Sequence, residues 1–72
     1  MQLKINGEIK TITNSNEELR LEALLENLGY NPQLVVVELN GEIISPKVWI
    51  NTKIKNGDCL EVVTIVGGGS YS

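Results

Sequence analysis

The chain contains no histidine and no phenylalanine, a single cysteine, two prolines and one tryptophan among its 72 residues. Without histidine there is no imidazole base, no Ser-His or Cys-His nucleophile and no imidazole ligand for a transition metal. A lone cysteine cannot close an internal disulfide, so nothing points to an oxidising compartment. Cys59 has no histidine to activate it and no second cysteine to resolve it. It reads as a partly buried filler rather than a catalytic thiol. Basic residues are few, six against nine acids for a net charge of −3. Phosphate backbones and anionic membranes both select clustered Lys and Arg, so neither nucleic acid nor a membrane surface is an expected partner. No apolar run approaches the ~20 residues of a membrane span. The opening MQLKING has no apolar stretch of the kind a secretory leader carries, and the expected location is the cytoplasm.

A single domain of this length buries only about 60% of its unfolded surface. Leu, Ile and Val must supply the core, with room for one helix on one sheet. MQLKINGEIKTIT alternates as a half-buried strand, Met1, Leu3 and Ile5 against Gln2, Lys4 and Asn6, and turns at Asn6-Gly7. The return strand carries Ile9 and Ile12, whose parity differs. A bulge or an early strand end would each explain it.

NSNEELRLEALLENLG predicts a helix. Ser15 and Glu18 have capping-box spacing, and Asn16 is a second candidate cap. Leu21, Leu24, Leu25 and Leu28 form one apolar stripe, and Gly29 suits the left-handed position after the last turn. Glu18, Glu22 and Glu26 recur every four residues and read as a solvated face. Steering of a basic partner is the secondary reading, and a metal site is a poor fit.

Pro32 opens a new segment. QLVVVELNGEII is a second hairpin turning at Asn40-Gly41. Its run Leu34 to Val37 does not alternate, which predicts a strand covered on both sides for part of its length. Ser45-Pro46 predicts a short helical turn, with Trp49 plugging the open side of a thin core. KNGD is another turn. In the last strand Leu60, Val62, Thr64 and Val66 point one way, and Cys59, Glu61, Val63 and Ile65 the other. Either this strand is central and covered twice, or Val63 and Ile65 form an exposed patch awaiting a partner. The order strand, strand, helix, strand, strand, short turn, strand implies α+β, one helix laid across one face of a mixed sheet.

The strand runs into Gly67-Gly68-Gly69 and then Ser70-Tyr71-Ser72. A P-loop would need GxxxxGK[ST] between a strand and a helix, and no lysine follows here. The glycines admit three readings: a frayed terminus, an expression remnant, or a tail slim enough for a slot that any side chain would block. Val66 to Gly69 reaches about 10–14 Å at ~3.3–3.6 Å per residue. That span would carry a carboxylate from the sheet edge into another protein's catalytic centre.

Taken together, the first hairpin, the helix, VVVELNGEII, the tryptophan and NGDCLEVVTIVGGG resemble the thiamine-biosynthesis sulfur carrier family, ThiS, of the ubiquitin-like β-grasp class. The resemblance covers essentially residues 1–69. It implies a mixed sheet of four to five strands with one helix across one face, a β-grasp domain over 1–66 and a glycine tail with a three-residue extension over 67–72. It implies a carrier and not an enzyme. Gly68 and Gly69 would be the terminal pair that is adenylated and converted to a thiocarboxylate, with Gly67 as spacer. The implied partners are an adenylating enzyme resembling ubiquitin E1, a sulfur donor and thiazole synthase. ATP and Mg²⁺ would belong to the adenylating partner, and no metal or cofactor to this chain. Partners of such carriers grip the sheet face near the tail, here Val63, Ile65 and Val66.

Residues 70–72 depart from the family pattern, because they leave Gly69 as an amide where the chemistry needs a carboxylate. A precursor matured by a processing protease, an expression remnant and a carrier that has lost its activity are the three readings. Rival functions are the sulfur carrier of molybdopterin synthesis, a ubiquitin-like protein modifier, and a plain interaction domain.

Overall fold

The computed structural model describes residues 1–13 and 18–65. Ser15 and Asn16, the candidate caps, lie outside the described residues, as does everything from Val66 on. A five-stranded mixed sheet carries one helix on one face. Its strands are β1 (Gln2–Ile5), β2 (Glu8–Thr11), β4 (Val35–Leu39), β5 (Glu42–Ile43) and β7 (Cys59–Thr64), in the order β2-β1-β7-β4-β5. Among the described strands only β1 and β7 run parallel, with β7 at the centre of the sheet and β1 beside it. Two further strands, β3 (Leu19–Arg20) and β6 (Lys53–Ile54), form a separate antiparallel pair.

Both hairpins turn at Asn-Gly, with φ of 52° and 84° at Asn6-Gly7 and 53° and 88° at Asn40-Gly41. Two successive positive φ values are the signature of a type I′ turn, whose twist matches the strands it joins. The parity difference between Ile9 and Ile12 comes from neither a bulge nor an early strand end: the β1–β2 register runs on unbroken to Met1 and Ile12, and the two isoleucines face opposite sides of the sheet. Beyond Thr11, Ile12 exchanges backbone hydrogen bonds with Met1 at 2.8 and 2.9 Å. Ile12 thereby shares the inner face with Leu3, whereas Ile9 pairs with Lys4 on the outer face and stays exposed.

The helix is shorter than its sequence pattern. α1 spans Leu21–Asn27, and its N-cap, Arg20, is extended and makes no side-chain cap. Glu18 therefore does not stand at the third helical position of a capping box, and the Glu18-Glu22-Glu26 row does not exist as a helical face. Glu18–Arg20 is held off the helix by pairing: Leu19 sits opposite Ile54 and Arg20 opposite Lys53. The Glu18 carboxylate closes this pairing with the Arg20 guanidinium at 2.9 Å and the Lys53 ammonium at 3.2 Å. These contacts, the Arg20 hydrogen bond first, hold its pKa below the usual 4.5. At the other end the stripe holds. Leu21, Leu24 and Leu25 are fully buried, and Leu28 is half-buried. Gly29, at φ 85°, donates to the Glu26 carbonyl, and Tyr30 donates to that of Leu25. That pair of bonds is a Schellman stop, which requires a left-handed residue and so suits glycine.

One core joins these parts: Leu3, Ile5, Leu60, Val62, Val35 and Val37 from the sheet, the helical leucines, Leu19, Ile54 and Trp49. The predicted helical turn is a 3₁₀ segment, Pro46–Asn51, with the Ser45 hydroxyl accepting from the Lys47 N–H at 3.4 Å. Trp49 fills the core as expected, only 2% exposed, and its indole N–H donates to the Ile44 carbonyl at 2.9 Å. The apolar run Leu34 to Val37 is not covered on both sides. Leu34 ends a 3₁₀ turn, Pro32–Leu34, and the strand then alternates, with Val35 and Val37 buried and Val36 exposed.

Candidate docking face and tail strand

β7 is central in pairing yet covered on one face only by the described residues. Leu60 and Val62 enter the core; Glu61, Val63, Thr64 and Ile65 are exposed. Of the two alternatives the sequence leaves for this strand, the exposed patch is the one realised. Val63 is 61% exposed and pairs with Val36 of β4. Ile65 donates its N–H to the Leu34 carbonyl at 2.6 Å and is itself exposed, as is Leu34. Four apolar side chains thus lie over the last two rungs before the tail. Val66, Gly67, Gly68 and Gly69 lie outside the described residues.

Sequence reading missed Leu34 and Val36 as members of this patch. Their signal was present, the unbroken apolar run, but was read as double burial. It also missed the next outward-facing rung. Glu38 and Glu61 are direct cross-strand partners, and Ile43 of β5 is the partner of Glu38 on the far side. All three stand on the uncovered face, since alternate residues of a strand share a face.

The position of β7 is fixed on the side of β1 by a side chain. β1 ends at Ile5, and beyond it the Asn6 carboxamide accepts from the Val62 N–H at 2.7 Å and donates to the Val62 carbonyl at 3.2 Å. At the entry to β7, Asn40 does the same for Cys59. Its side-chain oxygen accepts from the Cys59 N–H at 3.0 Å, and its backbone N–H donates to the Cys59 carbonyl at 2.7 Å. The two turn asparagines therefore serve their hairpins and anchor the tail strand from both flanks. Asp58 orders the preceding turn by accepting from the Lys55 N–H at 2.7 Å.

Cys59 is a half-buried free thiol. Among the described residues no group of three or more His, Cys, Asp or Glu is placed to hold a metal ion, and no helix is long and apolar enough to cross a membrane.

The ThiS family model matches residues 3–69. A crystal structure of the thiamine biosynthesis protein ThiS from Geobacter metallireducens superimposes with a TM-score of 0.80 at 36% identity, covering 96% of this chain and all of that one. The fold is thus the β-grasp arrangement that the sequence resemblance implies. The ycf40 protein of Porphyra purpurea is 35% identical over 96% of this chain and 93% of its own length. A thiazole synthase from Paramagnetospirillum magneticum is 40% identical over 97% of this chain, which spans only 21% of that protein.

Proposed function

This chain belongs to the ThiS family, and we propose that it is a sulfur carrier of thiamine biosynthesis, a co-substrate of other enzymes and not itself a catalyst. The observation that carries this reading is the extent of the family match, which runs through the last strand and stops on Gly69. Residues 1–66 form the handle, and residues 67–72 hold the tail and its extension.

The chemistry starts from a free carboxylate on Gly69. An E1-like adenylating enzyme brings ATP and Mg²⁺. A Gly69 carboxylate oxygen attacks the α-phosphorus, pyrophosphate leaves, and an acyl-adenylate remains. A donor then delivers sulfur at the sulfide level, its lone pair attacking the acyl carbon. AMP departs with the oxygen, and the tail ends in a thiocarboxylate. Thiazole synthase consumes that sulfur. The likeness of this chain to part of a thiazole synthase supports such a partner. Gly67 and Gly68 let the tail thread a narrow channel, because a backbone without Cβ atoms fits where other residues would collide.

The docking surface is the exposed face of β4 and β7, where Val63 and Ile65 lead and Val36 and Leu34 extend the patch; Val66 is the next residue in sequence and is assigned to the same surface. Burying such side chains is worth about 1.5–3 kcal/mol each.

Ser70-Tyr71-Ser72 holds Gly69 as an amide. A processing protease adds water across the Gly69–Ser70 bond, giving the Gly69 carboxylate and a tripeptide with a free Ser70 amine. The test is to incubate the full chain and a form ending at Gly69 with adenylating enzyme, MgATP and a sulfur donor, and to weigh the products. A thiocarboxylate on the Gly69-terminated form alone is expected. Its appearance on the uncut chain refutes the processing step, and its absence from both refutes the carrier reading.

A further inference from the structure

Glu38 and Glu61 face each other across β4 and β7, one rung along the uncovered face from Val36 and Val63. Like charges directly opposite on a sheet repel, with side chains rooted about 4.5–5.5 Å apart. Among the described residues the ion pairs are Glu8–Lys10, Glu18–Arg20 and Glu18–Lys53, and none relieves this rung. Apolar neighbours flank it on two sides, Val36 and Val63 along the strands and Ile43 across the sheet from Glu38.

A partner of ordinary size covers about 800 Å² on each side. One seated on Val36, Val63 and Ile65 reaches the glutamates as well. A purely apolar cover would strip water from two carboxylates that no ion pair among the described residues compensates, and removing unpaired ions from water is strongly unfavourable. A second copy of this chain, also at net charge −3, would set four carboxylates against one another.

Resting on the docking reading above, we infer that the partner's surface has an apolar centre that meets Val36, Val63 and Ile65, and beside it a basic side chain that lodges between Glu38 and Glu61. A guanidinium suits the position, since its planar fork can donate to two carboxylates at once. The glutamates thus select a partner by charge at the rim of a patch that is otherwise only apolar, and they draw the partner in before contact.

The experiment measures association of the Gly69-terminated chain with the adenylating enzyme across a NaCl series, for three variants. The double variant E38Q/E61Q is expected to melt no lower than wild type, because it relieves a repulsion. It is also expected to associate about tenfold more slowly at low salt, with a flattened salt dependence. The control E22Q/E26Q removes the same two charges from the helix, taking the net from −3 to −1 as well, and is expected to keep the wild-type salt slope. Val63→Ser is expected to weaken binding at every salt concentration. If E38Q/E61Q tracks E22Q/E26Q while Val63→Ser binds poorly, the charge selection is wrong and the docking face stands. If Val63→Ser binds like wild type, the docking face is wrong and the inference falls with it.

Discussion

The side chain of Asn6 and the backbone of Val62, 56 residues apart, form a two-bond rung that continues the β1 ladder after β1 has turned away. A residue chosen for a left-handed turn thus also pins the strand that presents the tail. Substituting Asn6→Gly keeps the turn, because glycine accepts φ of 52°, and deletes the rung together with a long 3.4 Å contact from the carboxamide to the Tyr30 hydroxyl. The expected loss is about 1–3 kcal/mol in urea unfolding, as for a half-buried amide pair left unsatisfied. Faster hydrogen exchange at the Val62 amide should accompany it. An unchanged midpoint and unchanged exchange would show the rung to be incidental.

Leu24 is fully buried between helix and sheet. Leu24→Ala should cost about 2–5 kcal/mol. A domain of this size has only about 5–15 kcal/mol in hand, so the variant should be close to unfolding at physiological temperature by circular dichroism. Trp49→Phe should cost less, about 1–3 kcal/mol, chiefly because the Ile44 carbonyl loses its indole donor.

Glu18 gives the fold a specific acid sensitivity. Its folded pKa lies below 4.5, through the hydrogen bonds and charges of Arg20 and Lys53. A depressed carboxylate pKa contributes stability above the unfolded value, and that contribution is lost as pH falls through the folded one. Wild type should therefore melt higher than Glu18→Gln at pH 7, by a small margin because the group is exposed. The two curves should converge below the usual carboxylate range. A gap that widens on acidification would contradict the assignment.

The tail prediction separates chemistry from folding. Gly68→Val leaves the described core untouched and adds an isopropyl group where the proposed channel has to pass the tail. ATP–pyrophosphate exchange on the Gly69-terminated chain should fall at least ~100-fold in kcat/KM, about 2.7 kcal/mol of transition-state binding. The melting temperature should not move.

Much of this fold was legible in the chain itself, because its strongest signals are local. The Asn-Gly turns, the Leu21-Leu24-Leu25 stripe and the Gly29 stop each need only neighbours within one turn to take effect. The start of the helix was not legible. Local propensity favours helix through Glu18 and Leu19, but Leu19 and Arg20 pair with Ile54 and Lys53 more than thirty residues later, and that pairing prevails. The Leu34–Val37 run was misread for a different reason. Hydropathy registers that a side chain avoids water, not which molecule supplies the cover. Val36 is half of an apolar rung that the described residues leave exposed, and on the proposed reading a surface kept for another protein has the hydropathy of an interior.

The central claim is that Gly69 becomes a free acyl terminus that another protein loads with sulfur. The intact mass of this protein isolated from its native cell tests it most directly. Molecules ending at Gly69 are predicted, a fraction of them heavier by the difference between one sulfur and one oxygen atom. If every molecule keeps Ser72 while the cell goes on making the thiazole of thiamine, the claim is wrong.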